Sequence, residues 1–175
     1  MLTRKIILPV LVLVLSGCAS PATKEAMVVR PEVSSFVKAE QKGKFKVGKV
    51  SGGKATNPMW TSQVSSENFQ SALVESLNTS GLGAAESSAD TYNVDAELLE
   101  LDQPLMGLTF DVISKVNYRV YKDGFEKYFP VTATGTATVS DAFVAIARLK
   151  MANEKSIQEN ITAFIKQLAQ ASEVK

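Results

Sequence analysis

The chain has 175 residues, with 19 Lys+Arg against 18 Asp+Glu, 45% hydrophobic residues, no histidine and one cysteine. A balance this even makes no basic field for nucleic acid. Zinc sites built from His and Cys, Ser-His-Asp or Cys-His catalysis and an intrachain disulfide are all excluded, so no metal or cofactor is expected and the fold must stand on its core alone.

Arg4 and Lys5 precede an apolar run from Ile6 to Leu15, broken only by Pro9. Ten residues are too few to span a bilayer, which takes about 20 in a helix. A basic start, a short apolar core and small residues at its end make a secretory signal peptide over residues 1–17. It ends in Leu15-Ser16-Gly17-Cys18, which resembles the lipobox of bacterial lipoproteins. The plain alternative is an ordinary signal peptide followed by an incidental cysteine. The resemblance implies that Cys18 is lipidated and becomes the first residue of the mature chain. Ala19, rather than aspartate, follows it, which resembles the outer-membrane sorting pattern of Gram-negative lipoproteins. Cleavage would remove Arg4 and Lys5, leaving 17 basic residues against 18 acidic ones.

Residues 18–43 read as the lipidated cysteine and a flexible tether, with Pro21, Pro31 and no sustained period. A coil of its 25 residues after Cys18 would reach about 25–30 Å. Residues 44–175 read as a single domain. Lys44 to Val50 is a strand whose alternation is restored by a bulge at Gly48. Gly52-Gly53 and Asn57-Pro58 mark a loop. A helix starts near Ser62 or Ser65, carries Phe69, Ala72, Leu73 and Leu77 on one stripe, and ends at Gly81. Tyr92, Val94, Ala96 and Leu98 alternate with polar residues as strand two.

Strand three places Leu108, Phe110, Val112, Val116, Tyr118 and Val120 on one face. Asp123-Gly124 is a two-residue turn, which pairs positions whose numbers sum to 247. Val112 then faces Gly135, Tyr118 faces Phe129 and Leu108 faces Val139. Pro130 marks strand four as a sheet edge. Ser140-Asp141 can cap a last helix from Val144 to Gln170, whose apolar side is interrupted by Asn153.

The expected fold is α+β: a two-layer sandwich, β-α-β-β-β-α, with a four-stranded mixed sheet and two helices on one face. With the start of strand one called the bottom, the Asp123-Gly124 turn and the tether lie at the bottom. The loops with Met59, Trp60, Leu105, Met106, Phe143 and Val144 gather at the top. These six either close the core or form a partner-binding patch. The lipid and the patch are expected at opposite ends.

Three motifs are weak. Gly48 to Lys54 matches a phosphate-binding loop in spacing, but Ala55 replaces the metal-binding hydroxyl and Asn57-Pro58 delays the helix. Ser51-Gly52-Gly53-Lys54 and Ser35-Phe36-Val37-Lys38 read S-x-x-K without its companion motifs. Asp95 and Glu97 share the polar sheet face with Asp111, Lys115 and Arg119. They are read as a salt-linked surface or, as the alternative, as the site of a small carbohydrate-binding module or hydrolase.

In element order, residues 44–170 resemble small envelope lipoproteins. The lipopolysaccharide-assembly lipoproteins are similar. The auxiliary lipoproteins of envelope lipid transport and the activators of peptidoglycan synthases are looser matches. The resemblance implies a non-catalytic adaptor or assembly factor, lipid-anchored in the outer membrane and facing the periplasm, with an envelope protein or lipid as partner and no nucleic acid. It carries over no residue but Cys18.

Overall fold

The structure, a computed structural model, describes residues 19–58, 61–86 and 90–174. Four strands form one sheet in the order β1-β2-β3-β4: β1 Phe45–Ser51, β2 Tyr92–Asp102, β3 Thr109–Lys122 and β4 Phe125–Thr138. β1 and β2 are parallel; β2, β3 and β4 are antiparallel. Helices α2, Ser66–Ser80, and α3, Ala145–Gln170, cover one face. This is the expected α+β sandwich.

The β3–β4 register pairs Thr109 with Thr138 through to Lys122 with Phe125. Gly124 has φ 73°, which a primed turn demands and glycine supplies without strain. Val112 lies opposite Gly135 and Tyr118 opposite Phe129, as expected. The pairing stops one step short of Leu108 and Val139, which are both exposed. Pro130 sits on β4, an edge strand, where its missing N–H costs no ladder bond.

The bulge in β1 falls between Val47 and Val50, and Asp95 of β2 fills it: its Oδ1 accepts the Lys49 N–H at 2.7 Å. Of the two starts the sequence offers for helix α2, Ser65 is the cap. The Ser65 hydroxyl accepts the Asn68 N–H at 3.1 Å, and Gly81 ends the helix at φ 81°. Helix α3 differs. Its N-cap is Val144, without a side-chain bond. Asp141 instead closes the end of β4 by accepting the Thr138 N–H at 2.8 Å and hydroxyl at 2.9 Å. A short acidic side chain bonds its own loop as readily as a helix end, and here the loop wins.

Residues 19–43 correct the sequence reading most sharply. They are not a free tether but part of the fold. α1, Lys24–Met27, and two 3-10 turns, Pro31–Phe36 and Ala39–Gln41, run from top to bottom over α2 and α3. Ala22, Met27, Val29 and Val33 are buried there with the main core. Polar contacts fix the path along its length. Asn68 Nδ2 donates to the Ala22 carbonyl at 2.8 Å, and the Val29 N–H donates to Ser76 Oγ at 3.1 Å. At the bottom Gln41 Nε2 donates to the Leu168 and Val174 carbonyls, at 3.1 and 3.0 Å.

Two amphipathic helices on a sheet leave a groove on their outer side, and this segment's apolar residues fill it. Its first residue therefore sits at the top, beside the loops, rather than at the bottom.

Candidate functional site

The top end is built from three loops and the start of the chain. The Ala19 N–H donates to the Pro58 carbonyl at 2.8 Å, and Ser62 Oγ donates to the Ser20 carbonyl at 2.8 Å. The Ala22 N–H donates to Gln63 at 3.1 Å. Ser62 is itself a junction. Its carbonyl accepts from Asn153 Nδ2 and from Gln103 Nε2, each at 2.9 Å. Gln103 Nε2 also donates to Asn153 Oδ1 at 2.7 Å. Asn153, which interrupts the apolar side of α3, is thus fully buried and bonded to backbone and amide. It ties the 62 loop to the end of β2 and is not free to hold a ligand.

One turn and a half earlier on α3, Arg148 does the same for the other two loops. It is buried, and its Nη2 donates to the Gly107 carbonyl at 2.9 Å. Its Nη1 donates to Ala142 at 2.9 Å and Phe143 at 2.8 Å. The planar fork of a guanidinium suits such diverging acceptors. The loop with Leu105 and Met106 and the loop with Phe143 and Val144 are therefore held by a single side chain.

What these loops carry is turned outward. Leu105 is 98% exposed, Met106 84%, Leu108 76%, Phe143 90% and Val144 55%. None of them closes the core, which settles that alternative for these positions. Met59 and Trp60 lie outside the described residues, as does Cys18. Leu108, expected as a strand residue facing Val139, lies just outside the β3–β4 ladder. Its isolation from the ladder follows from the Gly107 turn one residue earlier, at φ 149°.

The open face of the sheet is the second candidate surface. Arg119 is paired with Glu126 and reaches Asp95 Oδ2 at 3.6 Å. Lys115 meets Glu100 at 2.6 Å. The Glu126 carboxyl is held below its ordinary value, chiefly by the hydrogen bond from Arg119 and then by that from Tyr128. Lys49, Asp95, Glu97, Asn117, Arg119 and Tyr128 line a shallow hollow. Both oxygens of Asp95 are engaged, one by the β1 bulge and one by Arg119, which makes it a structural strut of the sheet.

Among the described residues no group of three or more His, Cys, Asp or Glu is placed to hold a metal, and no helix is long and apolar enough to cross a membrane. No family profile and no curated protein sequence matches the chain. Solved structures resemble it in fold. One is a candidate lipoprotein of Caulobacter crescentus CB15, 12% identical over 79% of this chain and 93% of that one, with a TM-score of 0.45. Another is a Xanthomonas campestris protein of the DUF330 family, 10% identical over 73% and 95%, with a TM-score of 0.44. A third is a hypothetical protein of Chlamydia trachomatis, 12% identical over 72% and 92%, with a TM-score of 0.47.

Proposed function

We propose that the chain is a bacterial envelope lipoprotein, acylated on Cys18, that serves as a non-catalytic adaptor or assembly factor. Residues 1–17 are the export signal. The domain faces the periplasm from the outer membrane, as the Ala19 sorting position implies. The observation that carries the reading is the place of Ala19. Ala19, the residue after the cysteine of Leu15-Ser16-Gly17-Cys18, is part of the fold, its N–H bonded to the Pro58 carbonyl. This supports a reading in which the Ala19 end meets the membrane and the open sheet face meets a periplasmic partner.

The test is acyl labelling of the full chain with membrane flotation, beside Cys18→Ser. The wild type takes up label and floats; the variant does neither. A wild-type chain without label sinks the anchoring. For the adaptor role, a photoreactive residue at Asn117 is expected to give one defined envelope-protein adduct that Arg119→Glu removes. An adduct unchanged by that substitution contradicts a sheet-face adaptor.

The alternative, a small carbohydrate-binding module or hydrolase, draws on the hollow beside Tyr128, an aromatic side chain that is 53% exposed and able to stack on a sugar. It requires Glu97→Gln to abolish glycan binding or turnover while the fold is retained.

A further inference from the structure

The apolar residues at the top end and the start of the chain belong to one surface. Ala19 is 6% exposed and pinned to Pro58, and Cys18 precedes it by one Cα–Cα step, about 3.8 Å. No spacer separates the cysteine from the fold. From Ser20 the path through Ser62 and Gln103 leads to the loop of Leu105, Met106 and Leu108. Arg148 joins that loop to Phe143 and Val144. Large apolar side chains so exposed, on two loops held together by one guanidinium, mark a surface that is covered in use.

We propose that Leu105, Met106, Leu108, Phe143 and Val144 seat the domain on the membrane, entering the headgroup–acyl boundary of the leaflet that holds the Cys18 lipid. The proposal rests on the acylation reading above. The occupant follows from where the chain starts. Acyl chains on Cys18 enter the bilayer at this end of the domain, and a short covalent link leaves these loops nothing nearer to meet than lipid. With Cys18 carrying more than one acyl chain, as the lipoprotein resemblance implies, the anchor holds the protein and the loops set its orientation more than its attachment.

The charged residues flanking Phe143 and Val144 in sequence are engaged within the protein. Asp141 pairs with Lys155 at 2.8 Å, Lys150 pairs with Glu154 at 3.6 Å, and Arg148 is buried. The contact is accordingly apolar and independent of anionic lipid. The strands stand on end, and the Asp123-Gly124 turn points away from the membrane.

The experiment uses the full acylated chain carrying Leu105→Cys, Phe143→Cys or, at the far end, Asp123→Cys. The lipid occupies the sulfur of Cys18, so a thiol-reactive NBD dye marks only the new position. The labelled proteins are reconstituted into phosphatidylethanolamine/phosphatidylglycerol vesicles. Dye at 105 and 143 is expected to shift to the blue, to be quenched by brominated lipid, and to be several-fold less accessible to iodide than dye at 123. Equal iodide access at all three positions in protein that floats with the vesicles overturns the seating. So does shielding that disappears as protein is diluted in the bilayer, which would assign the loops to a second copy. A chain that does not float and carries no acyl mass on Cys18 removes the acylation reading, and this surface with it.

Discussion

The N–H of Ala19 lies 2.8 Å from the carbonyl oxygen of Pro58. This one bond reverses the expected geometry of the molecule. A chain that enters the domain at β1 would hang it from the bottom. A chain that enters at the Pro58 loop and then descends over the helices hangs it from the top, where the exposed apolar loops are.

The descending segment makes a stability prediction that a free tether would not. Met27 is fully buried among α2 and α3 residues of the core. Met27→Ala is expected to lower unfolding free energy by about 2–5 kcal/mol, the usual range for emptying such a site. Urea denaturation of the processed domain measures it. An unchanged midpoint would return residues 19–43 to the status of a coil.

Arg148 makes a local one. Arg148→Met keeps an unbranched stem but removes the guanidinium that lies over the Phe110 ring and its three hydrogen bonds to the carbonyls of Gly107, Ala142 and Phe143. The cost is about 1–3 kcal/mol, since bonds to a charged donor are stronger than neutral ones and the freed loop carbonyls can turn to water. Amide hydrogen exchange should rise in residues 105–108 and 142–144 while the β3–β4 ladder stays protected.

Gly135 is where α3 lies directly on the sheet. A methyl group there would run into the backbone of Ala152 and Ser156. Gly135→Ala must push helix from strand, and overpacking of this kind costs about 1–3 kcal/mol. Thermal unfolding checks it. No loss would mean that α3 adjusts freely at this crossing.

Acid titrates one contact of the top end. The hydrogen bond from Lys155, then those from the Thr138 backbone and hydroxyl, hold the Asp141 carboxyl at about 2, below its ordinary 3.8. A depressed folded value means the stabilisation is complete above the unfolded value and is lost as pH falls through the folded one. Wild type should melt higher than Asp141→Asn at neutral pH, and the gap should close between about pH 4 and pH 2. Melting curves of both proteins across that range give the answer. A gap independent of pH would contradict the pairing.

Much of the fold is legible in the residues because its elements carry their own period. The β3–β4 register follows from Asp123-Gly124 and the alternation on either side, and α2 is bounded by Ser65 and Gly81. The topology alone gathers the loops of Leu105 and Phe143 at one end. Residues 19–43 escape such reading for a physical reason. Ala22, Met27, Val29 and Val33 fill a groove between helices from short turns and extended links, so their spacing follows the groove's shape and no helical or strand period. Asp141 escapes it too, because capping a helix and closing a turn use the same side chain. The role of Asn153 was partly legible: a buried amide on a helix calls for backbone partners, but the sequence does not say that Ser62 supplies them.

The measurement that bears most directly on the arrangement is neutron reflectometry of the full acylated protein on a supported bilayer. With Ala19 fixed to the fold and the apolar loops seated, protein density should begin at the headgroups with no water layer beneath it. A hydrated gap on the order of the 25–30 Å reach of a free 25-residue coil would contradict it.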